Sequence, residues 1–287
     1  MEQQKKILAI HDLSCVGKCS LTVALPVLSA AGIETDVMPT AVLSTQTGGF
    51  TGYTFRDLTE DIPKIAAHWR SIGLRFDAIY TGYLGSYAQL AAVSRLIDEF
   101  RGERALVCVD PVMADGGRLY ESFRPDFPCG MAKLCAKADL VVPNVTEAAF
   151  LLGEPYREGP YGKAYLAGLL HGLAARGPRK VVLTGVWTER AHIGCAVYDG
   201  ETDMADLVLG DRVEGLYHGT GDVFASALLG ALLNGFPLLR AARIGVDFTE
   251  GCIRRTHDAG TDPRLGVNFE AGLPRYIRSL GLETDDG

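Results

Sequence analysis

Short apolar runs alternate with longer segments of helical periodicity along most of the chain. Residues 7–10, 35–39, 78–80, 106–109, 140–142 and 180–183 read as strands, being apolar, short and mostly bounded by Gly, Pro or Asp. Residues 21–31, 62–72, 88–100, 146–152 and 163–176 read as helices, the first stopping at Gly32. This alternation predicts a mostly parallel sheet with helices on both faces, a three-layer α/β/α arrangement. After Lys180 the pattern changes. Residues 195–198 and 204–209 flank Asp199-Gly200, a hairpin signal that predicts an antiparallel edge. Helical stretches over 223–234, 238–256 and 269–280 follow, and 44–52 is a polar, glycine-rich loop. With no internal repeat, low-complexity tract or long Pro/Gly/Ser linker, residues 1–287 read as a single domain.

Composition narrows the function. A hydrophobic content of 47% with 22% charged residues is that of an ordinary globular protein. The net charge of −7 argues against a nucleic-acid or anionic-membrane partner, which needs a basic face. An anionic nucleotide stays open, provided backbone amides and a divalent metal receive it. The seven cysteines (15, 19, 108, 129, 135, 195 and 252) are scattered and include no Cys-x-x-Cys, so neither a disulfide framework nor a zinc site is expected. Cys108, inside an apolar run, reads as core packing. The first six residues lead into only four apolar ones, and no later stretch reaches about 18, so the chain is expected to be cytoplasmic.

In a parallel sheet, ligands bind beyond the carboxyl ends of the strands. The polar residues expected there are Asp12, Thr81-Gly82-Tyr83, Asp110, Asn144, Glu147 and Thr184. Late in the chain, His218-Gly219-Thr220-Gly221-Asp222 runs straight into an apolar helix. Glycines there let backbone approach a ligand, and the first helical amides suit a phosphate. Asp222 has two readings: a helix cap, or a base that takes a proton from an attacking hydroxyl. Asp110-Pro111 and Asn144-Val145-Thr146-Glu147 are equally double. They are either a turn former and a capping arrangement, or oxygen ligands for Mg-nucleotide. Gly17-Lys18-Cys19-Ser20 fails as a P-loop, since Asp12 replaces the leading Gly and Cys19 the metal-binding hydroxyl. No Gly-x-Gly-x-x-Gly follows the first strand, and the isolated histidines show no metal-ligand spacing.

Taken together, these motifs resemble the ribokinase-like superfamily, and within it the pyridoxal/pyridoxamine (vitamin B6) kinases, from Ile7 to about Ile253. Gly219-Thr220-Gly221-Asp222 resembles the anion hole and catalytic base, and Pro143-Asn144-x-x-Glu147 the superfamily's Asn-x-x-Glu element. Residues 81–86 and Asp110-Pro111-Val112-Met113 are similar to two internal strands of the B6 kinases. Thr45-Gln46 with Phe50-Thr51-Gly52 resembles the loop that meets the pyridine ring. The resemblance implies ATP- and Mg2+-dependent phosphorylation of the hydroxymethyl group of pyridoxal, pyridoxine or pyridoxamine in a homodimer, and it leaves room for a monovalent cation. It implies Asp222 as base, the 219–221 amides as anion hole, and Asp12, Thr45, Gln46 and Tyr83 around the ring. Asp110, Glu147 and Thr184 would serve the nucleotide, with Asp110, Asn144 and Glu147 positioning the metal. Two departures stand out. Asp12 replaces a serine common in B6 kinases, and Thr184 replaces a lysine. Hydroxymethylpyrimidine kinases, which often carry an Asp near position 12 but commonly a Cys where Asp222 stands, are the alternative. A ligand-sensing protein on the same fold is a further one, less favoured because it would not need Asp110, Glu147 and Asp222 together.

Overall fold

The computed structural model describes residues 4–282. The first half holds β1 (Lys6–Ser14), α1 (Leu21–Ala30), β2 (Glu34–Leu43), β3 (Phe55–Asp57), α2 (Ile62–Ser71), β4 (Phe76–Thr81), α3 (Tyr87–Phe100) and β5 (Arg101–Val109). A small hairpin, β6 (Ala114–Asp115) and β7 (Arg118–Leu119), leads to α4 (Phe127–Cys135), β8 (Leu140–Val141), α5 (Val145–Leu152) and α6 (Lys163–Ala174). Then come β9 (Lys180–Val186), β10 (His192–Asp199), β11 (Met204–Asp211), α7 (Thr220–Leu233), α8 (Leu238–Asp258) and α9 (Leu273–Ser279). Among the described residues nine strands form one sheet in the order β11-β10-β9-β8-β5-β4-β1-β2-β3. The run from β2 to β9 is parallel, and β3, β10 and β11 are antiparallel.

Strand alternation explains the three layers. Leu8, Ile10, Ile79, Val107, Val109, Val181 and Leu183 face one core with α2 to α6. Ile7, Ala9, Ala78, Tyr80, Cys108 and Val182 face the other with α1, α7, α8 and α9. Successive side chains point to opposite faces, so strands covered on both sides become continuous apolar runs. Each fully buried aliphatic side chain contributes about 1.5–3 kcal/mol. Helix α7 is buried at every position from Val223 to Ala231, walled in by α1 and α8.

The structure corrects the sequence expectations in three places. An antiparallel edge occurs at both ends of the sheet, because the three-residue β3 pairs with β2. That strand is fully exposed and carries no apolar run to betray it. The β6–β7 hairpin and α4 were not anticipated; α4 follows Pro-rich sequence and spans only nine residues. Asp12 lies inside β1 rather than after it, because pairing with β2 resumes beyond Pro39. Proline has no N–H for the ladder, so β2 sets two residues against Asp12 before the register continues. The β10–β11 hairpin forms as expected, with Asp203 (φ 54) as the left-handed residue of its turn. All seven cysteines are free, Cys108 is buried, and among the described residues no helix is long and apolar enough to cross a membrane.

Gly230, in the middle of α7, faces Tyr276 of α9. A Cβ there would sit 2.1 Å from the Tyr276 hydroxyl oxygen and 2.8 Å from the Ala31 Cβ. Tyr276 is itself fixed, stacked on Phe248 and donating its hydroxyl to the Ala227 carbonyl at 3.2 Å. Helix propensity alone makes Gly→Ala stabilising by about 1 kcal/mol. Overpacking reverses the sign here: Gly230→Ala is expected to destabilise by about 1–3 kcal/mol in urea unfolding. Adding Tyr276→Phe should recover part of the loss; an alanine variant as stable as wild type refutes this packing account.

Candidate active site

The parallel register assembles the site. Ile10 pairs with Thr81, Thr81 with Val109, Val109 with Val141, and Val141 with Val181. Strand ends are therefore level, and Asp12, Tyr83, Asp110, Asn144 and Thr184 share one edge. Backbone bonds lock that edge: Gly82 N–H to the Ile10 carbonyl at 3.1 Å, Asp110 N–H to Thr81 at 2.9 Å, and Thr184 N–H to Pro143 at 2.9 Å. The strand order reverses between β1 and β4, the switch point where such sheets open a crevice.

The N-terminus of α7 meets this edge. Gly219 is left-handed (φ 74), and a Cβ there would lie 2.0 Å from the Lys18 carbonyl oxygen, so only glycine fits. At Gly221 a Cβ would meet nothing within 4 Å, leaving open space beside amides that have no intrahelical partners. Among the described residues, Asp222 accepts no hydrogen bond from its own helix, although it lies in the first turn. Its Oδ2 instead accepts the Ser20 N–H at 2.9 Å, and its Oδ1 lies 3.9 Å from Nδ1 of His11. Burial pushes the Asp222 carboxyl up to about 7, against the Ser20 bond and with a smaller push from Asp12. His11 is 0% exposed, and burial lowers it to about 3, so it stands neutral. Asp12 accepts the Ser20 hydroxyl at Oδ1 (2.6 Å) and the Ser14 hydroxyl at Oδ2 (3.2 Å). Burial raises its carboxyl, and these two bonds oppose the shift.

Asn144 and Glu147 form a complete capping box at the start of α5. Glu147 Oε1 also accepts the N–H groups of Met113 (3.0 Å) and Ala114 (3.4 Å), while Asn144 Nδ2 donates to the Ala114 carbonyl at 2.7 Å. Both side chains thus brace the segment after Asp110. Burial pushes Glu147 up to about 8 despite its backbone donors. Burial, then Glu147 and Asp222, holds the Asp110 carboxyl well above the usual carboxylate range. Among the described residues no three His, Cys, Asp or Glu groups form a metal cage. The donor set still fits magnesium, which keeps several waters and takes phosphate oxygens alongside one or two carboxylates. Buried carboxylates short of compensating charge favour such a cation.

Around the crevice mouth, Thr45 Oγ1 is buried without a hydrogen-bond partner among the described residues, which leaves it free for a ligand. Gln46 is committed elsewhere: its N–H donates to Val16 and its Nε2 to the Arg264 carbonyl. The Arg264 guanidinium lies 5.3 Å from the Phe50 ring centre, and a Cβ at Gly48 would strike His218. The 44–54 loop is thereby tied to residues 218 and 264. Tyr83 packs 5.5 Å from Phe123, and its hydroxyl is 3.3 Å from Ser122 Oγ. Sequence reading did not single out His11, Ser14, Ser20, His218 or Arg264 for roles at the site. Ser20 alone left a signal, as a capping-type residue directly before an apolar helix.

Comparison with known proteins identifies the family of the chain. The phosphomethylpyrimidine kinase family model matches residues 27–265. A pyridoxine/pyridoxal/pyridoxamine kinase of Bordetella avium is 30% identical, over 96% of this chain and 94% of its own. A Bacteroides thetaiotaomicron protein crystallised with pyridoxal is 38% identical, with a TM-score of 0.90 over 99% of this chain and 98% of that one. The pyridoxal kinase of Lactobacillus plantarum is 34% identical, with a TM-score of 0.88 over 96% and 98%. The chain belongs to the phosphomethylpyrimidine kinase family, within the pyridoxal kinase group of the ribokinase-like superfamily, whose members are phosphotransferases acting on an alcohol group.

Proposed function

We propose that this chain transfers the γ-phosphoryl group of ATP to the 5′-hydroxymethyl group of a B6 vitamer. One observation carries the reading: Asp222 is freed from capping and stands beside open helix amides, on the edge that also holds Asp12 and Asp110. Asp222 accepts the hydroxyl proton as the new O–P bond forms. The amides of Gly219, Thr220 and Gly221 take up charge on the moving phosphoryl, donors of a kind whose single removal costs about 3 kcal/mol. Asp110 would hold magnesium directly or through water, Glu147 and Asn144 would keep that segment in place, and Thr184 would approach the nucleotide phosphates. Magnesium, arriving with the nucleotide, would neutralise phosphate charge. Asp12, Thr45 and Tyr83 hold the ring, and Gln46 holds the loop above it. The seven free cysteines fit a reducing, cytoplasmic setting, and the homodimer follows from the resemblance alone.

Asp222→Asn is expected to lower kcat by about 100-fold or more while leaving nucleotide affinity intact. Because the base must be ionised, wild-type kcat/KM should level off above about pH 7 and fall about tenfold per unit below it. Stability runs the other way. A carboxyl raised in the folded state stabilises most below its unfolded value, and that contribution is lost as pH rises through about 7. The Asn variant, free of ligands, should therefore melt above wild type at pH 8 and level with it near pH 4. More than a tenth of wild-type turnover in this variant removes Asp222 as base.

Asp110→Ala is expected to need more magnesium for half-maximal rate, and EDTA to abolish wild-type activity. An unchanged magnesium curve assigns Asp110 to the turn alone.

Substrate choice rests on Asp12, whose ionised oxygens only accept hydrogen bonds. A contact at the ring 4 position favours pyridoxamine, whose ammonium makes a charge-assisted bond worth about 1.5–3 kcal/mol. Asp12→Ser should thus reduce kcat/KM for pyridoxamine more than for pyridoxal. Hydroxymethylpyrimidine also carries an exocyclic amine, and the family model bears the name of its phosphate ester, so it belongs in the same assay. Wild-type preference for it over all three vitamers overturns the substrate reading.

A further inference from the structure

Ser20 joins the two carboxylates of the crevice. It immediately precedes α1, where a serine normally caps the helix, yet its side chain makes no capping bond. Its hydroxyl donates to Asp12 Oδ1 at 2.6 Å, and its N–H donates to Asp222 Oδ2 at 2.9 Å. To reach both, the residue takes φ 50 and ψ −128, a backbone conformation that favours glycine. Among the described residues only Asp203, in the β10–β11 turn, is another non-glycine with positive φ. Such a conformation persists where the surroundings over-determine it, and it clusters at functional sites.

The surroundings here do so. The loop leading to Ser20 is pinned by Cys15 N–H to Leu43 O (2.8 Å), Lys18 N–H to Leu265 O (2.9 Å) and the Thr22 hydroxyl to Gly17 O (3.1 Å). The Lys18 carbonyl is wedged against Gly219 and Gly266. Ser20 is 7% exposed, so water does not compete well for its two donors.

We propose that Ser20 is a positioning residue for phosphoryl transfer, its N–H orienting the base Asp222 and its hydroxyl orienting Asp12 toward the substrate ring. The proposal rests on Asp222 being the base. The groups that face Asp222 are His11 and Asp12 from β1, Cys19 beside Ser20, Tyr80 from β4, Asp110 after β5, and Tyr120. His11 is held neutral, and burial pushes the Cys19 thiol up to about 12, so the charged neighbours are carboxylates. Ser20 supplies the donor that offsets their repulsion at Asp222 Oδ2.

The test compares Ser20→Gly with Ser20→Ala, which both lose the hydroxyl but differ in their tolerance of positive φ. Rates with MgATP and a B6 vitamer are measured from pH 5.5 to 9, with melting temperatures and Asp222→Asn alongside. Ser20→Gly keeps the backbone conformation and the N–H. It should melt at or above wild type, keep its acid limb of kcat in place, and raise the vitamer KM about five- to tenfold. Ser20→Ala keeps the strain and loses the hydroxyl that anchors it, so the N–H moves off Asp222. Its kcat should fall about tenfold, and its acid limb should move up by about half a pH unit or more. A purely structural serine lowers the melting temperature of the alanine variant and moves neither acid limb nor KM. Identical acid limbs in both variants, or a wild-type KM in Ser20→Gly, overturns the proposal. Substantial turnover in Asp222→Asn instead removes the base reading on which it rests, and the proposal with it.

Discussion

Like charges held close together in a poorly hydrated crevice dominate this molecule. Asp12, Asp110, Glu147 and Asp222 come from four segments, and burial raises every one of them. Left alone, they would repel one another and, still more, the phosphates of a nucleotide. Much of the local architecture answers this problem with donors. Backbone N–H groups of Met113, Ala114 and Asn144 serve Glu147, Ser14 and Ser20 serve Asp12, and Ser20 serves Asp222. Asp110 stands apart: among the described residues no donor reaches its carboxyl, and the magnesium of the proposed reaction would supply the compensating charge.

The same charges explain why the loops around the crevice are built so tightly. A donor stabilises a carboxylate only while its geometry holds, and three of the donors here, Ser20, Met113 and Asn144, lie outside the helices and strands. The 15–20 segment is therefore tied to Leu43 and Leu265, and the 44–54 loop to Arg264 and His218. Gln46, expected at the ring, serves this second task through its amide nitrogen. Thr45, next to it, keeps a buried hydroxyl with no hydrogen-bond partner among the described residues.

Much of this was legible in the chain, and the reasons for the rest are physical. Apolar runs such as 7–10 and 106–109 declare themselves because both faces of their strands are covered. Strand β3 is exposed on both faces, so no hydrophobic pattern marks it. Asp222, Asp110, Asn144 and Glu147 could be named because each sits where a strand ends or a helix begins. Their division of labour could not. Whether Asn144 and Glu147 only cap a helix depends on their contacts with Met113 and Ala114, which lie 30 to 34 residues upstream. Ser20 meets Asp222 across 202 residues. Periodicity reports local structure and is silent about contacts of that span.

Helix α7 is buried along most of its length, and Gly219 just before it is wedged against Lys18. A helix enclosed in this way has no freedom to tilt when a polyanion arrives at its first turn. In the proposed reaction its dipoles would already point where charge develops, so the transferring group would meet an environment that needs no rearrangement. Under the proposed mechanism the first turn of α7 is thus a fixed floor for phosphoryl transfer, its rigidity set by the packing behind it rather than by the ligand it would meet.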